Sequence, residues 1–261
     1  MPRQTPRIGL IVVGDEILCG KRQDRHLPTV IELLRTRGLE LAWARLVGDD
    51  EDDIADALRW AIARGDLVLS CGGIGATPDD RTRQAAARAF GVPLTRHAEA
   101  EALIVAQYGA AARPNRVRMA DFPRGAGLIP NPVNRVPGFW CGDCHFVPGF
   151  PEMAWPMLEW VLDTRYAHLH RSAPPVEYRI RVLGTSGEGD LLPLMEDTLA
   201  RHPGIKLSSL PFRGDATRPR QIEFGFKGEA ALAARACRHF HEGLRAFADV
   251  QVEWLCEPPA A

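Results

Sequence analysis

Short apolar runs and amphipathic stretches alternate through the first half of the chain. "PRIGLIVVG" at residues 6–14 is a continuous apolar run that predicts a buried strand. A loop, "DEILCGKRQDRH", leads into the amphipathic helix "LPTVIELLRTRG", which ends on Gly38. "LELAWARLVG" predicts a second strand. "DDEDDIADALRWAIARG" predicts a helix whose acids sit at its positive end and which stops at Arg64 and Gly65. "DLVLS", residues 66–70, is short and apolar enough to be a central third strand. Strands and helices alternating at this spacing predict a parallel sheet with helices on its faces.

Two helices follow, "RQAAARAFG" and "RHAEAEALIVAQYG", and then a stretch rich in proline and glycine from Phe122 to Pro151, where only short strands fit. "EMAWPMLEWVLDTRYA" predicts one more helix, and "HLHRSAPP" reads as a linker. Beyond it the pattern changes. The strands "VEYRIRVLG", "IKLSSLPF", "RQIEFGFKG" and "DVQVEWLC" enclose the helices "EGDLLPLMEDTLARHPG" and "EAALAARACRHFHEGLRAF" in the order β-α-β-β-α-β, the ferredoxin-like split unit.

Composition narrows the function classes. The net charge is −1 with no basic block, so there is no electrostatic case for nucleic acid or an anionic membrane. No apolar run approaches the roughly 20 residues that span a bilayer. The apolar run before Gly14 is short for a signal peptide, and a cytoplasmic protein is expected. The cysteines at 19, 71, 141, 144, 237 and 256 do not form a disulfide framework. "CGDCH", Cys141 to His145, fits patterns for haem attachment, redox chemistry or half a zinc site. Gly142 and Asp143 read instead as a two-residue hairpin turn, leaving the thiols incidental.

The chemistry concentrates at "SCGGIGATPDDRT", residues 70–82, at the expected carboxyl end of the third strand. In an open parallel sheet ligands bind outside that end. Gly72, Gly73 and Gly75 let backbone approach a ligand, and free N–H groups in such a loop favour an anion. A glycine-rich turn is also a common tight connection. The dinucleotide pattern G-x-G-x-x-G is absent, and "GDEILCGKR" has the wrong spacing for a P-loop, with Arg22 where serine or threonine would hold magnesium. Asp15 and Glu16 follow the first strand, Asp49 and Asp50 the second, and Asp79 and Asp80 the third, so all gather at one sheet edge. Asp49 or Asp80 could serve only as helix caps. Carboxylates beside an anion loop are also how proteins hold Mg²⁺ or another divalent cation with a phosphorylated substrate.

"LIVVGDEILCG", "LVGDD", "GGIGATPDDRT" and "VPGFPEM" together resemble the MoaB/MogA/CinA superfamily of molybdopterin-binding domains, and most of all the N-terminal part of CinA-type proteins. The resemblance covers about residues 7–165. The small domain that follows also resembles the one found there in CinA proteins. The deamidase domain of long CinA forms lies outside the resemblance, so deamidase activity is not implied. The fold implied is α/β: a three-layer parallel-sheet domain of the molybdopterin-binding type at 1–172, then a small ferredoxin-like α+β domain at 173–261.

Carried over by position, Gly72, Gly73, Gly75, Asp80 and Thr82 are the implied phosphate and pterin loop, with Ile74 standing where the MogA and MoaB signature has threonine. Gly14, Asp15 and Glu16 match the acidic turn of the CinA branch, and Pro148, Gly149 and Pro151 its second loop. Asp49 and Asp80 are the implied catalytic acids and metal ligands. The implied ligand is molybdopterin or a related phosphorylated pterin or nucleotide, and a homo-oligomer is expected. Three functions fit: a molybdopterin-type binding module, a divalent-metal-dependent ADP-ribose pyrophosphatase as in CinA-type proteins, and a scaffold acting through the second domain.

Other candidates have plainer readings. The pairs His168/His170 and His239/His241 have a spacing that suits surface residues better than metal ligands. Trp140, Trp155 and Trp160 suit core packing. Asn131 and Asn134 are expected to stabilise a turn, and Arg135 beside them could balance a diphosphate.

Overall fold

The computed structural model describes residues 6–184, 187–248 and 250–259, and its contacts divide the chain into two units, Met1–Ser172 and Ala173–Ala261. In the first, β1 (Ile8–Val13) is followed by a short helix, α1 (Asp15–Leu18), inside the segment expected to be a loop; α2 (His26–Arg35), β2 (Leu41–Val47), α3 (Glu51–Ala63) and β3 (Leu67–Cys71) then follow the alternation of the sequence. Next come α4 (Thr82–Phe90), β4 (Leu94–Arg96) and α5 (Ala98–Tyr108). The proline- and glycine-rich stretch forms β5 (Asp121–Pro123), β6 (Gly127–Ile129), β7 (Gly138–Cys141) and β8 (Cys144–Val147), and α6 (Pro151–Trp160) follows.

The main sheet has the order β2-β1-β3-β8-β7-β6. β1 runs parallel to β2 and β3, and β3 parallel to β8. β1 and β3 are buried along their whole length because helices cover both sheet faces, which is why each reads as an unbroken apolar run. β2 lies at the edge and is only half-buried. On one face Ile11, Val13 and Val68 pack with α3, α4 and α5; on the other Leu10, Val12, Leu67 and Leu69 pack with Val30 and Leu34 of α2 and Met157 and Leu158 of α6. These are the three layers expected.

β7 and β8 form the hairpin expected at "CGDC", with Cys141 directly opposite Cys144. Both thiols are buried in the core, and burial pushes them up to about 11 and about 12, far from reactive thiolates. His145 points to the other face, where its Nδ1 meets the Val68 carbonyl at 3.2 Å and its Nε2 accepts from Arg165 at 3.2 Å. Trp140, Trp155 and Trp160 pack against the core as expected.

The second unit contains β9 (Val176–Leu183), α7 (Glu188–Arg201), β10 (Lys206–Phe212), β11 (Gln221–Gly228), α8 (Ala230–Gly243) and β12 (Gln251–Cys256); Asp249, at the start of the last expected strand, lies outside the described residues. The order β10-β11-β9-β12 with antiparallel neighbours is that of the ferredoxin-like unit. His239 bonds to Asp197 at 2.8 Å, and in the first unit His170 meets the Leu162 carbonyl at 3.1 Å.

Candidate functional site

The sheet order reverses direction at β1: the chain moves from β1 outward to β2, then crosses back to β3 on the other side. Ligands bind at such a switch point, beyond the carboxyl ends of the strands. The loops after β1, β2, β3 and β8 meet there around a cleft of about 530 Å³. Gly14, Glu16, Asp49, Gly72, Gly73, Ile74, Gly75, Asp80, Pro148 and Gly149 line it.

The loop after β3 is built from below. Gly72 and Gly73 have φ of 108° and 69°, and a Cβ on Gly73 would lie 2.3 Å from Thr82 Oγ1. A Cβ on Gly72 would lie 2.3 Å from the Val13 carbonyl oxygen, and one on Gly149 would touch Gly72 at 3.4 Å, so the two loops pack backbone on backbone. Three of the loop's carbonyls are captured. Thr82 Oγ1 donates to Gly72 O at 2.9 Å, the Thr82 amide to Gly73 O at 3.0 Å, and Arg83 Nη2 to Gly75 O at 2.6 Å.

These peptides are trans, so the N–H of each plane points opposite to its C=O. With the carbonyls drawn toward the start of α4, the amides of Gly73, Ile74 and Ala76 turn the other way, and all three residues line the cleft. None of them donates to a protein acceptor among the described residues. Consecutive outward amides form an anion-binding concavity.

Thr82 therefore occupies a different place from the one its sequence position implies. It is completely buried, does not line the cleft, and shapes the loop from beneath. Asp15 and Pro151 also lie outside the lining. The amide of Asp15 donates to Asp49 Oδ2 at 3.0 Å and the amide of Asp49 to Asp15 Oδ1 at 3.2 Å, bracing the loops after β1 and β2 together. Pro151 opens α6, where its missing N–H costs nothing.

Neither Asp49 nor Asp80 caps a helix by its side chain. Asp50 caps α3, accepting from the amides of Asp52 and Asp53, while α4 starts at Arg81 with no side-chain cap. Asp80 accepts from the Thr77 amide at 2.9 Å and hydroxyl at 2.5 Å. Burial raises the pKa of Asp49 above its ordinary value, and the charges of Asp15, Glu16 and Asp79 push the same way against the Asp15 amide. Among the described residues no three His, Cys, Asp or Glu side chains are gathered closely enough to hold a metal ion.

The apolar part of the lining was not legible in the sequence. Tyr108 ends α5 and Met119 lies in the turn Arg116–Ala120; both pack with Val136 in the core cluster that also holds Ile74, and with Phe150 they make up the apolar lining. Arg22 brings a cation to the rim. Asn131 and Asn134 hold their turn as expected, Asn131 Nδ2 donating to Asn134 Oδ1 at 2.8 Å, and both also line the cleft. Arg135 sits in that turn with φ of 61° and is not part of the lining, so its suggested pairing with a diphosphate has no support.

Fold and cleft define an open α/β domain with a glycine-lined cleft at its switch point. Residues 9–168 match the family described as "Probable molybdopterin binding domain", and the chain belongs to that family. A CinA-like protein of Anaeromyxobacter dehalogenans is 37% identical over 164 residues, covering 60% of this chain and 40% of that protein. A protein of Pyrobaculum calidifontis is 31% identical over 215 residues, covering 79% of this chain and 81% of its own length. A crystal structure of CinA from Thermoplasma acidophilum superposes with a TM-score of 0.56 at 33% identity, covering 60% of this chain and 97% of that one. The chain thus spans only about 40% of the length of the first CinA-like relative.

Proposed function

We propose that the cleft binds a phosphorylated pterin or nucleotide, with phosphate on the amides of Gly73, Ile74 and Ala76. The observation that carries this reading is the capture of the Gly72, Gly73 and Gly75 carbonyls, which turns those three amides outward. The apolar lining of Tyr108, Met119 and Val136 suits a flat ring, and Asn131 and Asn134, whose side chains hold their turn, add polar surface beside it. Molybdopterin fits the chemistry of this lining: a fused heterocycle against apolar side chains and a terminal phosphate against backbone donors.

A second reading, divalent-metal-dependent hydrolysis of ADP-ribose, is favoured by one feature. Glu16, Asp49, Asp79 and Asp80 line the same cleft as the amides and would repel a bare diphosphate. Their hard oxygen donors suit Mg²⁺, which would neutralise the diphosphate and acidify an attacking water when bound. Asp49 and Asp80 would hold the ion, each having one carboxylate oxygen that accepts no hydrogen bond among the described residues.

Calorimetry with ADP-ribose, run alongside assays for AMP release with Mg²⁺, Mn²⁺ or Co²⁺, separates the two. Heat of binding without AMP supports a binding module, and metal-dependent AMP supports the hydrolase. A chain that binds neither ADP-ribose nor a phosphorylated pterin contradicts both.

A further inference from the structure

Arg83, on the first turn of α4, is only 4% exposed. Its guanidinium touches carbonyl oxygens alone. Nη2 donates to Gly75 O at 2.6 Å, and Nη1 donates to Arg118 O and, at 3.5 Å, to Asp121 O. Its Nε is buried and has no hydrogen-bond partner among the described residues. Among the described residues no carboxylate bonds to it. Asp121, the nearest acid on one side, is held by Arg96 at 2.6 Å, and Asp80, on the other, is turned onto Thr77.

Burying a guanidinium without a bonded carboxylate costs several kcal/mol unless something offsets it. Here the charge lies against the Gly75 carbonyl of the loop, in a medium where its field is poorly screened. The same side chain ties the Gly75 peptide to the segment carrying Met119, so it joins the loop to a second part of the cleft lining.

We propose that Arg83 is a positioning residue of the cleft: its buried guanidinium fixes the Gly75 peptide so that the Ala76 amide faces the ligand, and its charge biases the site toward multiply charged phosphates. This rests on reading the loop as an anion site. It also accounts for how a phosphate could be held beside Asp80, whose charge Arg83 opposes.

Inorganic pyrophosphate and orthophosphate are the probes, titrated into the full chain and into Arg83→Met and Arg83→Lys, each checked for folding by circular dichroism. Arg83→Met should weaken pyrophosphate about tenfold and orthophosphate about threefold, whereas Arg83→Lys should stay within about threefold of wild type for both. A purely structural role would weaken both anions equally in the methionine variant, and that result overturns the proposal. Should the methionine variant not fold, the lysine variant decides: a preserved preference for pyrophosphate supports the proposal, and a lost one overturns it. Wild-type protein that binds neither anion removes the anion-site reading itself. Wild-type binding that survives unchanged in folded Arg83→Met removes only the role of Arg83.

Discussion

The Thr82 hydroxyl donates to the Gly72 carbonyl at 2.9 Å from a position with no solvent exposure. Ligand contact and loop support make different demands on that hydroxyl. As a support, its loss leaves a buried carbonyl without its donor even when no ligand is present. Thr82→Val should therefore lower the stability of the ligand-free protein by about 1–2 kcal/mol and weaken pyrophosphate binding, while Thr82→Ser restores most of both. Urea unfolding without ligand is the check. A valine variant with wild-type stability and weakened binding would return Thr82 to the role of a direct contact.

Asp49 follows from its neighbours. A raised carboxyl pKa means that the folded state favours the neutral acid, so its stabilising contribution is complete below the unfolded value and is lost as pH rises through the folded one. At pH 7 the ionised group is thus a cost. Asp49→Asn keeps an acceptor for the Asp15 amide and removes the repulsion, and should be more stable than wild type by up to about 1 kcal/mol at pH 7, converging near pH 3. If the cleft hydrolyses a phosphoanhydride, the same variant should lower the rate at saturating substrate far more than it weakens binding. Unfolding midpoints across pH, with turnover measured beside them, read both effects.

Thr82 and Asp49 also mark how far the sequence could be read. The central strands were legible because burial on both faces leaves an unbroken apolar run, and the glycine loop because few other residues adopt its backbone angles. β4 and β5, three residues each, carry no pattern of their own and exist only through pairing with each other. Thr82 was misplaced because a hydroxyl beside a glycine loop can face either way, and only the backbone path decides. Tyr108 and Met119 come from separate segments and meet only in the cleft lining, and Arg83 reaches the Gly75 carbonyl only through the path of α4, so none of the three leaves a local signal. The caps were shifted by one residue at α3, from Asp49 to Asp50, which freed Asp49 to brace Asp15.

His145 gives a test of the core on the other side of the molecule. Burial lowers its pKa to about 4, so the folded state holds it neutral while the unfolded chain takes up a proton below about 6.5. Stability should therefore fall as pH drops from 6.5 toward 4, by up to about 3 kcal/mol from this group. His145→Asn removes the titrating group while offering an amide donor to Val68. It should be less stable than wild type at pH 7, with the gap narrowing steadily toward pH 5. A gap independent of pH would mean that His145 does not titrate as its surroundings require.

The central claim is that the amides of Gly73, Ile74 and Ala76 face the cleft and receive an anion. Titrating ¹⁵N-labelled full-length protein with inorganic pyrophosphate, and following every assigned backbone amide by NMR, tests it most directly. Those three resonances should move first and farthest, with Gly149 and Asn131 shifting less. Saturable binding that leaves the three unmoved, or that moves a different surface instead, would contradict the account.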